Sequence, residues 1–335
     1  MRCALIYNPA AGTRREQRID EVERAAARLR SLGHEALVIA TIGPGSAGGQ
    51  ARDAVREGAE VVFACGGDGT VNEVLQGLVA DTGNPRAALD TVLGAALGII
   101  PLGSANALAR QLRIPLDAER AVEEQIRGEW MTISVGKLEI GGQVQHFAVM
   151  VGAGPDGALV YELHSAGKSR MGRLAYALHA ARIFAARRFS RFAIEYTEMD
   201  GTVRTLDVVS VMAARVDCLG GLFTGLVERG DAMDKQSLRL SLLRPPGLIS
   251  LPLWFLTGWL GLRRVNPFLV EARAREFACR PVSDGGGPCD SDVHCEADGE
   301  WLGRIPMRVS VTPDALTVLA PRAACSASRA ESGRQ

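Results

Sequence analysis

The sequence predicts an α/β doubly wound N-terminal domain followed by a mainly antiparallel, sandwich-like β domain. Strand and helix patterns alternate over residues 1–130, which is typical of a parallel sheet covered by helices. From Thr132 onward the apolar period changes to two, as in antiparallel strands. A chain of 335 residues is long enough to bury two cores. We expect domains at 1–130 and 131–321, with a small, polar, disordered tail over 322–335.

The first domain contains four apolar strand patterns, and each ends at a polar or glycine-rich break. Strands are predicted at 4–7, 36–40, 61–65 and 97–100. Helices are predicted before Gly33, which is placed to cap the first of them, and at about 46–58, 107–112 and 117–128. Ligands bind outside the carboxyl ends of such strands, so we expect the breaks to form one site. The breaks begin at Asn8, Thr41, Gly66 and Pro101.

The break at Gly66–Thr70 joins the central strand directly to a helix. Glycines allow main-chain N–H groups to approach an anion, and a helix N-terminus offers the positive end of its dipole. Thr70 and Glu73 are predicted to form a capping box. The Asp68 carboxylate would repel a polyphosphate unless a cation such as Mg²⁺ lay between them. The pattern predicts a phosphate site, and a tight turn with a solvated Asp68 is the alternative.

The second domain is expected to be built from hairpins around one helix. The hairpin over 192–211 turns at Asp200 and Gly201, and further strands are predicted at 238–243, 307–311 and 316–319. The helix is predicted at about 172–188. Before the strand at 307–311 lies an acidic turn, Asp298-Gly299-Glu300. A kinase needs a carboxylate that accepts the proton of the acceptor hydroxyl, and Asp298 is the candidate. An ordinary Asp-Gly hairpin turn is the alternative.

Two other patterns favour structure over chemistry. Gly152, Gly154 and Gly157 match a dinucleotide fingerprint, but no acid follows between Leu163 and Ile194 to hold a ribose. We interpret these glycines as loop residues without a role in binding. Cys289, His294 and Cys295 include no C-x-x-C pair and no second histidine, so a solvated loop is favoured over a zinc site.

Composition limits the partners. Lys plus Arg and Asp plus Glu both number 38, so no global field attracts nucleic acid. Seven scattered cysteines and a strand pattern at the N-terminus fit a reducing cytoplasm. The longest apolar run, 248–262, is shorter than the roughly twenty residues of a membrane span but could lie on a membrane.

The chain resembles the diacylglycerol kinase catalytic family, which includes bacterial lipid kinases and the sphingosine and ceramide kinases. The resemblance covers about residues 1–320. It rests on NPAAG at 8–12, GGDGTVNE at 66–73, PLGSAN at 101–106, MGRLAY at 171–176 and DGE at 298–300. The second segment is shared with NAD kinases, whereas the ordered set of five is specific.

The resemblance implies ATP and Mg²⁺ as cofactors and an ATP cleft between the domains. It implies ATP contacts at Asn8, Pro9, Ala10, Ala11, Gly12, Thr41, Gly66, Gly67, Asp68, Gly69, Thr70, Val71, Asn72, Glu73, Ser104 and Asn106. Asp298 would accept the proton and Asp68 would organise Mg²⁺ and phosphates, although in sphingosine kinases the acid matching Asp68 is itself a candidate base.

Two departures from the family pattern affect these roles. Ala107 stands where many members have Asp. The second-domain magnesium segment, G-G-G followed by D-G-x-L in the family, is replaced by Leu219-Gly220-Gly221 and Lys235-Gln236-Ser237-Leu238, which leaves Asp234, one position away, as the candidate metal ligand.

The implied function is transfer of the γ-phosphoryl group of ATP to a lipid hydroxyl, by default that of diacylglycerol. Sphingoid bases, ceramide or phosphatidylglycerol are alternative acceptors, and an NAD kinase or a non-catalytic lipid- or nucleotide-binding module is a more distant alternative. We expect a cytoplasmic protein in peripheral contact with a membrane. Two stretches could dock there, although each could instead be an ordinary basic face or a core helix. They are the apolar run 248–262 and the basic set Lys168, Arg170, Arg173, Arg182, Arg187, Arg188 and Arg191.

Overall fold

The computed structural model describes residues 1–10, 15–79, 94–165, 189–217, 236–282 and 292–324. They form two compact units, one made of Met1–Val135 and Pro313–Gln335 and the other of Gly136–Thr312. Several predicted features lie outside the described residues: Ala11, Gly12, the helix at 172–188, Asp234, Cys289 and the tail from 325. The first tail residues, 322–324, are helical.

The first unit contains a parallel sheet of four strands, in the order β2-β1-β3-β4. Their bounds are Arg2–Tyr7 (β1), Glu35–Ala40 (β2), Val61–Gly66 (β3) and Ala96–Pro101 (β4). Every residue of β3 and β4 is buried, as expected for parallel strands with both faces covered. The four carboxyl ends are in register, because Tyr7 pairs with both Ala40 and Cys65, and Gly66 pairs with Pro101.

Helices cover this sheet. Their bounds are Arg15–Ser31 (α1), Ser46–Arg56 (α2), Asp68–Leu78 (α3), Ala107–Gln111 (α4) and Ala118–Ile126 (α5). The buried faces of α1 and α5 form one cluster with Leu5 and Phe63, whereas α2 and α3 contact each other and the same strands outside that cluster. Successive strand residues point to opposite faces, so the two helix pairs cover opposite sides of the sheet. The prediction of a doubly wound domain is confirmed.

Two long strands contain residues of both units. β5 is Glu129–Ile140 and β15 is Met307–Ala320. Residues 313–320 of β15 belong to the first unit, where Val318 pairs in parallel with Leu97 of β4. The sequence had suggested two separate strands here, both within the second domain.

The second unit is antiparallel, as predicted. Its remaining strands are Gln143–Phe147 (β6), Met150–Ala153 (β7), Phe192–Glu198 (β8), Val203–Val208 (β9), Ser210–Ala214 (β10), Leu238–Leu243 (β11), Leu269–Pro281 (β12), His294–Ala297 (β13) and Glu300–Arg304 (β14). The strand order is β14-β13-β7-β10-β11-β12-β15, and the β8–β9 hairpin adds to β12. An apolar cluster of described residues, which includes Phe147, Phe192 and Phe277, lies in its core.

The described residues of this unit include two α-helices, α6 at Pro155–Ser165 and α7 at Gly247–Trp259. The sequence analysis missed α6. Gly154 and Gly157 are therefore not simple loop residues, because Gly154 directly precedes α6 and Gly157 lies in its first turn. A Cβ on Gly157 would lie 2.3 Å from the His294 carbonyl oxygen, so the glycine lets α6 pack closely on β13. Within the described ranges, no helix is both long and apolar enough to cross a membrane.

Candidate active site

The predicted phosphate loops follow the carboxyl ends of the four parallel strands in the first unit. The Thr41 N–H donates to the Tyr7 carbonyl at 2.9 Å, and the Leu102 N–H donates to the Gly66 carbonyl at 2.8 Å. Each bond extends a strand pairing by one residue into the loops. Asn8 closes its own turn by accepting the Ala10 N–H at 2.8 Å. Loops that are distant in sequence therefore form one edge.

The Gly66 loop and the Ser104 loop approach each other at two glycines. A Cβ on Gly103 would lie 2.4 Å from the Gly67 Cα, a distance that real Cβ atoms do not adopt. Asn106 holds this approach from a left-handed conformation with φ +49°. Its side-chain oxygen accepts the Gly103 N–H at 3.0 Å, and its amide donates to the Gly103 carbonyl at 2.8 Å. Glycine is needed at 103 because any side chain would separate the two loops.

Asp68 links the same two loops through its carboxylate. Its Oδ1 accepts the Ala107 N–H at 2.6 Å, at the start of α4. Burial raises the pKa of Asp68, and the main-chain N–H groups of Ala107, Asn106, Asp68 itself and Leu108 oppose that rise. Asp68 is thus not the solvated turn residue of the alternative interpretation.

The N-terminus of α3 lies at this edge without a side-chain cap. Gly67 is the N-cap residue. The predicted capping box is wrong, because α3 begins at Asp68 and Thr70 is already its third residue. Thr70 packs at Gly66, where a Cβ would lie 2.4 Å from its Oγ1. Glu73 accepts the Ala47 N–H of α2 at 3.2 Å.

The other predicted contact residues of the first unit fall into two groups. Pro9, Ala10, Thr41 and Ser104 lie on the loops, with Ala10 and Ser104 exposed, whereas Gly69 is the second residue of α3. Thr70, Val71 and Asn72 belong to α3 and are buried. Their side chains pack inside the unit, which leaves the main chain of the first helical turn as the polar surface at the edge.

Asp298 lies in the second unit, in the two-residue turn between β13 and β14. Asp298 and Gly299 have φ values of +50° and +85°. Two successive left-handed residues favour the tight Asp-Gly hairpin turn that the sequence suggested as an alternative. The turn is nevertheless unusual, because Asp298 is only 8% exposed.

The Asp298 carboxylate accepts three main-chain N–H groups from the segment before β7. Oδ2 accepts Ala148 N–H, and Oδ1 accepts Val149 N–H and Met150 N–H, each at 2.9 Å. The Asp298 N–H donates to the Met150 carbonyl at 2.9 Å. These bonds hold the carboxylate in one orientation. The sequence analysis missed residues 148–150, and only the alternation at Phe147, Val149 and Val151 pointed to a strand there.

Two further acids near this turn were also missed. Asp156 in the first turn of α6 and Glu296 on β13 are both buried. Glu296 accepts the Gly299 N–H at 2.9 Å through Oε2. His294 and Cys295, which the sequence analysis considered as zinc ligands, belong to β13. His294 stacks on Tyr161 and bonds to the Trp301 indole nitrogen at 3.1 Å, and Cys295 is a buried free thiol.

Comparisons with known proteins show similarity to diacylglycerol kinases. Residues 2–138 match the family model described as the diacylglycerol kinase catalytic domain. The chain is 26% identical over 320 residues to proteins named diacylglycerol kinase from Staphylococcus aureus strains bovine RF122 / ET3-1 and MRSA252, and each alignment covers 96% of this chain and 92% of the relative.

A solved structure shows the same fold. A diacylglycerol kinase from Bacillus anthracis strain Sterne aligns with a TM-score of 0.67 and 21% identity, covering 96% of this chain and 98% of that one. At 21% identity, this similarity supports the fold alone. The domain match over residues 2–138 and the two loop motifs at the edge of the parallel sheet make the first unit similar to the diacylglycerol kinase catalytic domain.

Proposed function

We propose that this protein is an ATP-dependent kinase that transfers the γ-phosphoryl group of ATP to the hydroxyl group of diacylglycerol. The observation that carries the proposal is the family domain at 2–138, whose glycine loops surround the uncapped N-terminus of α3. Such a terminus presents N–H donors and positive partial charge to phosphate oxygens.

The loop geometry fits a triphosphate. Gly66, Gly67 and Gly103 let the two loops pack closely, because a Cβ on any of them would meet Thr70 or the facing loop. The main-chain N–H groups of these glycines carry no side chain that would keep a phosphate oxygen away. We assign phosphate contacts to this main chain and to the Ser104 hydroxyl, with Asn8 and Thr41 on the neighbouring strand ends. When bound, ATP supplies the phosphoryl group, and Mg²⁺ neutralises charge on the phosphate oxygens.

Asp68 is the residue that we assign to Mg²⁺ and phosphate organisation. Its bond to Ala107 N–H also fixes the spacing of the two glycine loops. In relatives with an acid at position 107 a second carboxylate would stand here. In this chain the Ala107 side chain is a methyl group and supplies no carboxylate, which leaves Asp68 with both the structural and the electrostatic task.

Asp298 is the residue that we assign as proton acceptor. A general base must be held within hydrogen-bond reach of the hydroxyl whose proton it takes. Three N–H donors fix the Asp298 carboxylate, so no rearrangement of this turn is needed to orient it. The acceptor lipid would bring its hydroxyl to this carboxylate.

The surface of α7 favours a lipid acceptor over a soluble one. Leu251, Trp254 and Thr257 face the interior of the unit. The opposite face exposes Leu248, Ile249, Leu256, Trp259 and Leu260, and Trp259 is 82% exposed. A helix that is apolar on both its buried and its exposed face marks an interaction surface.

The charges around α7 fit an anionic bilayer as the partner. The sequence contains no Asp or Glu from residue 235 to residue 270, whereas Arg244 and Arg264 are exposed beside the helix. Tryptophan at the end of an apolar face, followed by arginine, is the arrangement that favours the membrane interface. We therefore assign peripheral membrane contact to α7.

Purified protein with labelled ATP and a lipid panel tests the activity. The panel contains diacylglycerol, a sphingoid base, ceramide and phosphatidylglycerol, and NAD is assayed beside it. We expect labelled phosphatidate as the main product. Labelled NADP, or no transfer to any lipid, would contradict the proposal, and transfer to another lipid would reassign the acceptor.

Vesicle sedimentation tests the membrane contact separately. The double variant Leu256→Gln and Trp259→Gln removes two exposed apolar side chains, and Val203→Gln is the matched control because Val203 is exposed on β9. We expect the double variant alone to lose binding to anionic vesicles while it still turns over a short-chain, soluble diacylglycerol. Equal vesicle binding by both variants would exclude α7 as the docking surface.

A further inference from the structure

Asp156 and Glu296 form a buried acidic pair that the proposed reaction does not use. Asp156 is 8% exposed and Glu296 is 2% exposed. Among the described residues, the main-chain N–H groups of Gly157 and of Asp156 itself are the donors near the Asp156 carboxylate, and neither makes a hydrogen bond of full geometry. A buried carboxylate without such a bond is costly if it is ionised, so its environment must favour another state.

The position of Gly152 brings the two acids together. Gly152 on β7 pairs directly with Glu296 on β13. A Cβ on Gly152 would lie 1.6 Å from Oδ2 of Asp156, so the Asp156 carboxylate occupies the space in which a side chain at 152 would stand. Side chains of directly paired antiparallel residues point to the same face, with Cβ atoms about 4.5–5.5 Å apart. Asp156 is therefore the effective cross-strand neighbour of Glu296.

Within the part of the chain that the structure describes, the charged groups that shift the pKa values of this pair and of its neighbouring thiols are themselves acids or thiols. Burial raises the pKa of Asp156 to about 7, and the N–H groups of Gly157 and Asp156 partly offset that rise. Burial first, then Asp156 and Asp298, raise the pKa of Glu296, while the Gly299 N–H lowers it. The thiols of Cys279 and Cys295 are buried and have raised pKa values.

Across the described ranges, no three His, Cys, Asp or Glu side chains are arranged to hold a metal ion. Two adjacent carboxylates that cannot both ionise commonly share one proton. The surroundings are apolar, since Val151, Ala153 and Ala297 lie in the core cluster of this unit.

We propose that Asp156 and Glu296 share one proton in the folded protein and together position the Asp298 turn. The link is the Gly299 N–H, which donates to Glu296 at 2.9 Å and belongs to the residue that follows Asp298. Asp156 and Glu296 are thus positioning residues, since Asp298 alone is assigned to the acceptor hydroxyl. Only this second half of the inference rests on the proposed function.

The sign of the pH dependence follows from the raised pKa values. A raised folded-state pKa stabilises the protein fully below the unfolded value of about 4, and this contribution is lost as pH rises through the folded-state value near 7. The parent should therefore lose stability between about pH 4 and pH 7, the interval between the unfolded-state and the folded-state pKa of Asp156. Asp156→Asn keeps the shape and leaves a single carboxylate, so it should flatten that loss.

Urea unfolding across this pH range tests the shared proton. The control is Asp53→Asn, because Asp53 has an exposed side chain and the same charge is removed. We expect the urea midpoint of Asp156→Asn to rise relative to that of the parent as pH increases. At the upper end of the pH range, the unfolding constant of the variant relative to the parent should have fallen about tenfold or more. The midpoint difference of Asp53→Asn should stay constant. Parallel curves for the parent and Asp156→Asn would overturn the proposal.

Two more measurements keep the test decisive. If Asp156→Asn does not fold, Glu296→Gln is read by the same curves, and infrared spectra of the parent show whether a protonated carboxyl band is lost between about pH 6 and pH 9. A parent with no such band would also overturn the shared proton.

Kinase assays test the positioning role. The alkaline limb of the kcat–pH profile should move to higher pH in Asp156→Asn, and an unchanged limb would contradict the positioning role. A flattened stability curve in a protein without lipid kinase activity would remove the proposed function and leave the pair intact.

Discussion

Two Asp-Gly hairpin turns in the second unit have the same sequence and different surroundings. Asp200-Gly201 joins β8 to β9, and Asp298-Gly299 joins β13 to β14. Asp200 is exposed and accepts a hydrogen bond from Thr202 N–H, two residues away, at 2.8 Å. Asp298 is buried and accepts N–H groups about 150 residues away in sequence. The dipeptide marks a hairpin connection in both places, and the long-range donors specify what the Asp298 carboxylate can do.

The electrostatics of Asp200 follow from this local role. The Thr202 N–H holds its pKa below the usual range, and its carboxylate stays in solvent. It is therefore the natural control for Asp298, since each is an aspartate followed by glycine in the connection of a hairpin.

The largest expected effect is on turnover. Asp298→Asn removes the proposed proton acceptor, and loss of a general base costs on the order of 10²- to 10⁴-fold in rate. Asp200→Asn should leave kcat at the parental value. Initial rates with labelled ATP and diacylglycerol vesicles measure both, and equal rates in the two variants would remove Asp298 from the chemistry.

The same pair of turns should differ in stability. Asp298→Ala leaves three buried N–H groups without their acceptor, and each such group costs about 1–3 kcal/mol, so we expect a loss of about 3 kcal/mol or more. Asp200→Ala exposes its donor to water and should change stability far less. Urea unfolding at neutral pH compares them, and similar losses would show that the long-range bonds contribute little.

Two glycines of the first unit extend the contrast between long-range and local roles. Gly103→Ala would place a Cβ 2.4 Å from Gly67 and should separate the phosphate loops, which raises the KM for ATP about tenfold or more. Gly49→Ala is the control, because a Cβ there meets nothing within 4 Å. Kinetics at varied ATP concentration measure the effect, and a Gly103→Ala enzyme with parental KM would contradict the loop assignment.

The smallest expected effect separates the two tasks of Asp68. Asp68→Asn can keep the bond to Ala107 N–H through its amide oxygen, whereas Asp68→Ala loses a helix-start acceptor worth about 1 kcal/mol. Both should lower ATP-dependent turnover, and only the alanine variant should lower the unfolding midpoint. A destabilised asparagine variant with full turnover would reverse this division.

The parallel half of the molecule could be predicted from sequence because its signals are local. Apolar runs ended by glycine, such as Val61–Gly66, identify both the strand and the loop that follows it. The capping box was wrong because two glycines make the start of α3 ambiguous by a few residues. The bond from Ala107 to Asp68 spans 39 residues, and no local pattern could announce it.

The antiparallel half was less predictable for the same reason. Its hairpins were found, but α6 has buried residues on all sides and therefore lacks the amphipathic pattern that reveals a helix. The burial of Asp298 depends on β13 pairing with β7, which only the folded sheet establishes. The sequence analysis did not single out Asp156, which lies between Gly154 and Gly157.

The central assignment is that Asp298 acts in transfer and not in binding. Equilibrium binding of ATP and of diacylglycerol vesicles, together with single-turnover transfer, should be measured on the same preparation of Asp298→Asn. We predict binding of both within about twofold of the parent and transfer reduced by at least about 10²-fold. Parental transfer, or transfer lost only in proportion to lost binding, would contradict the account.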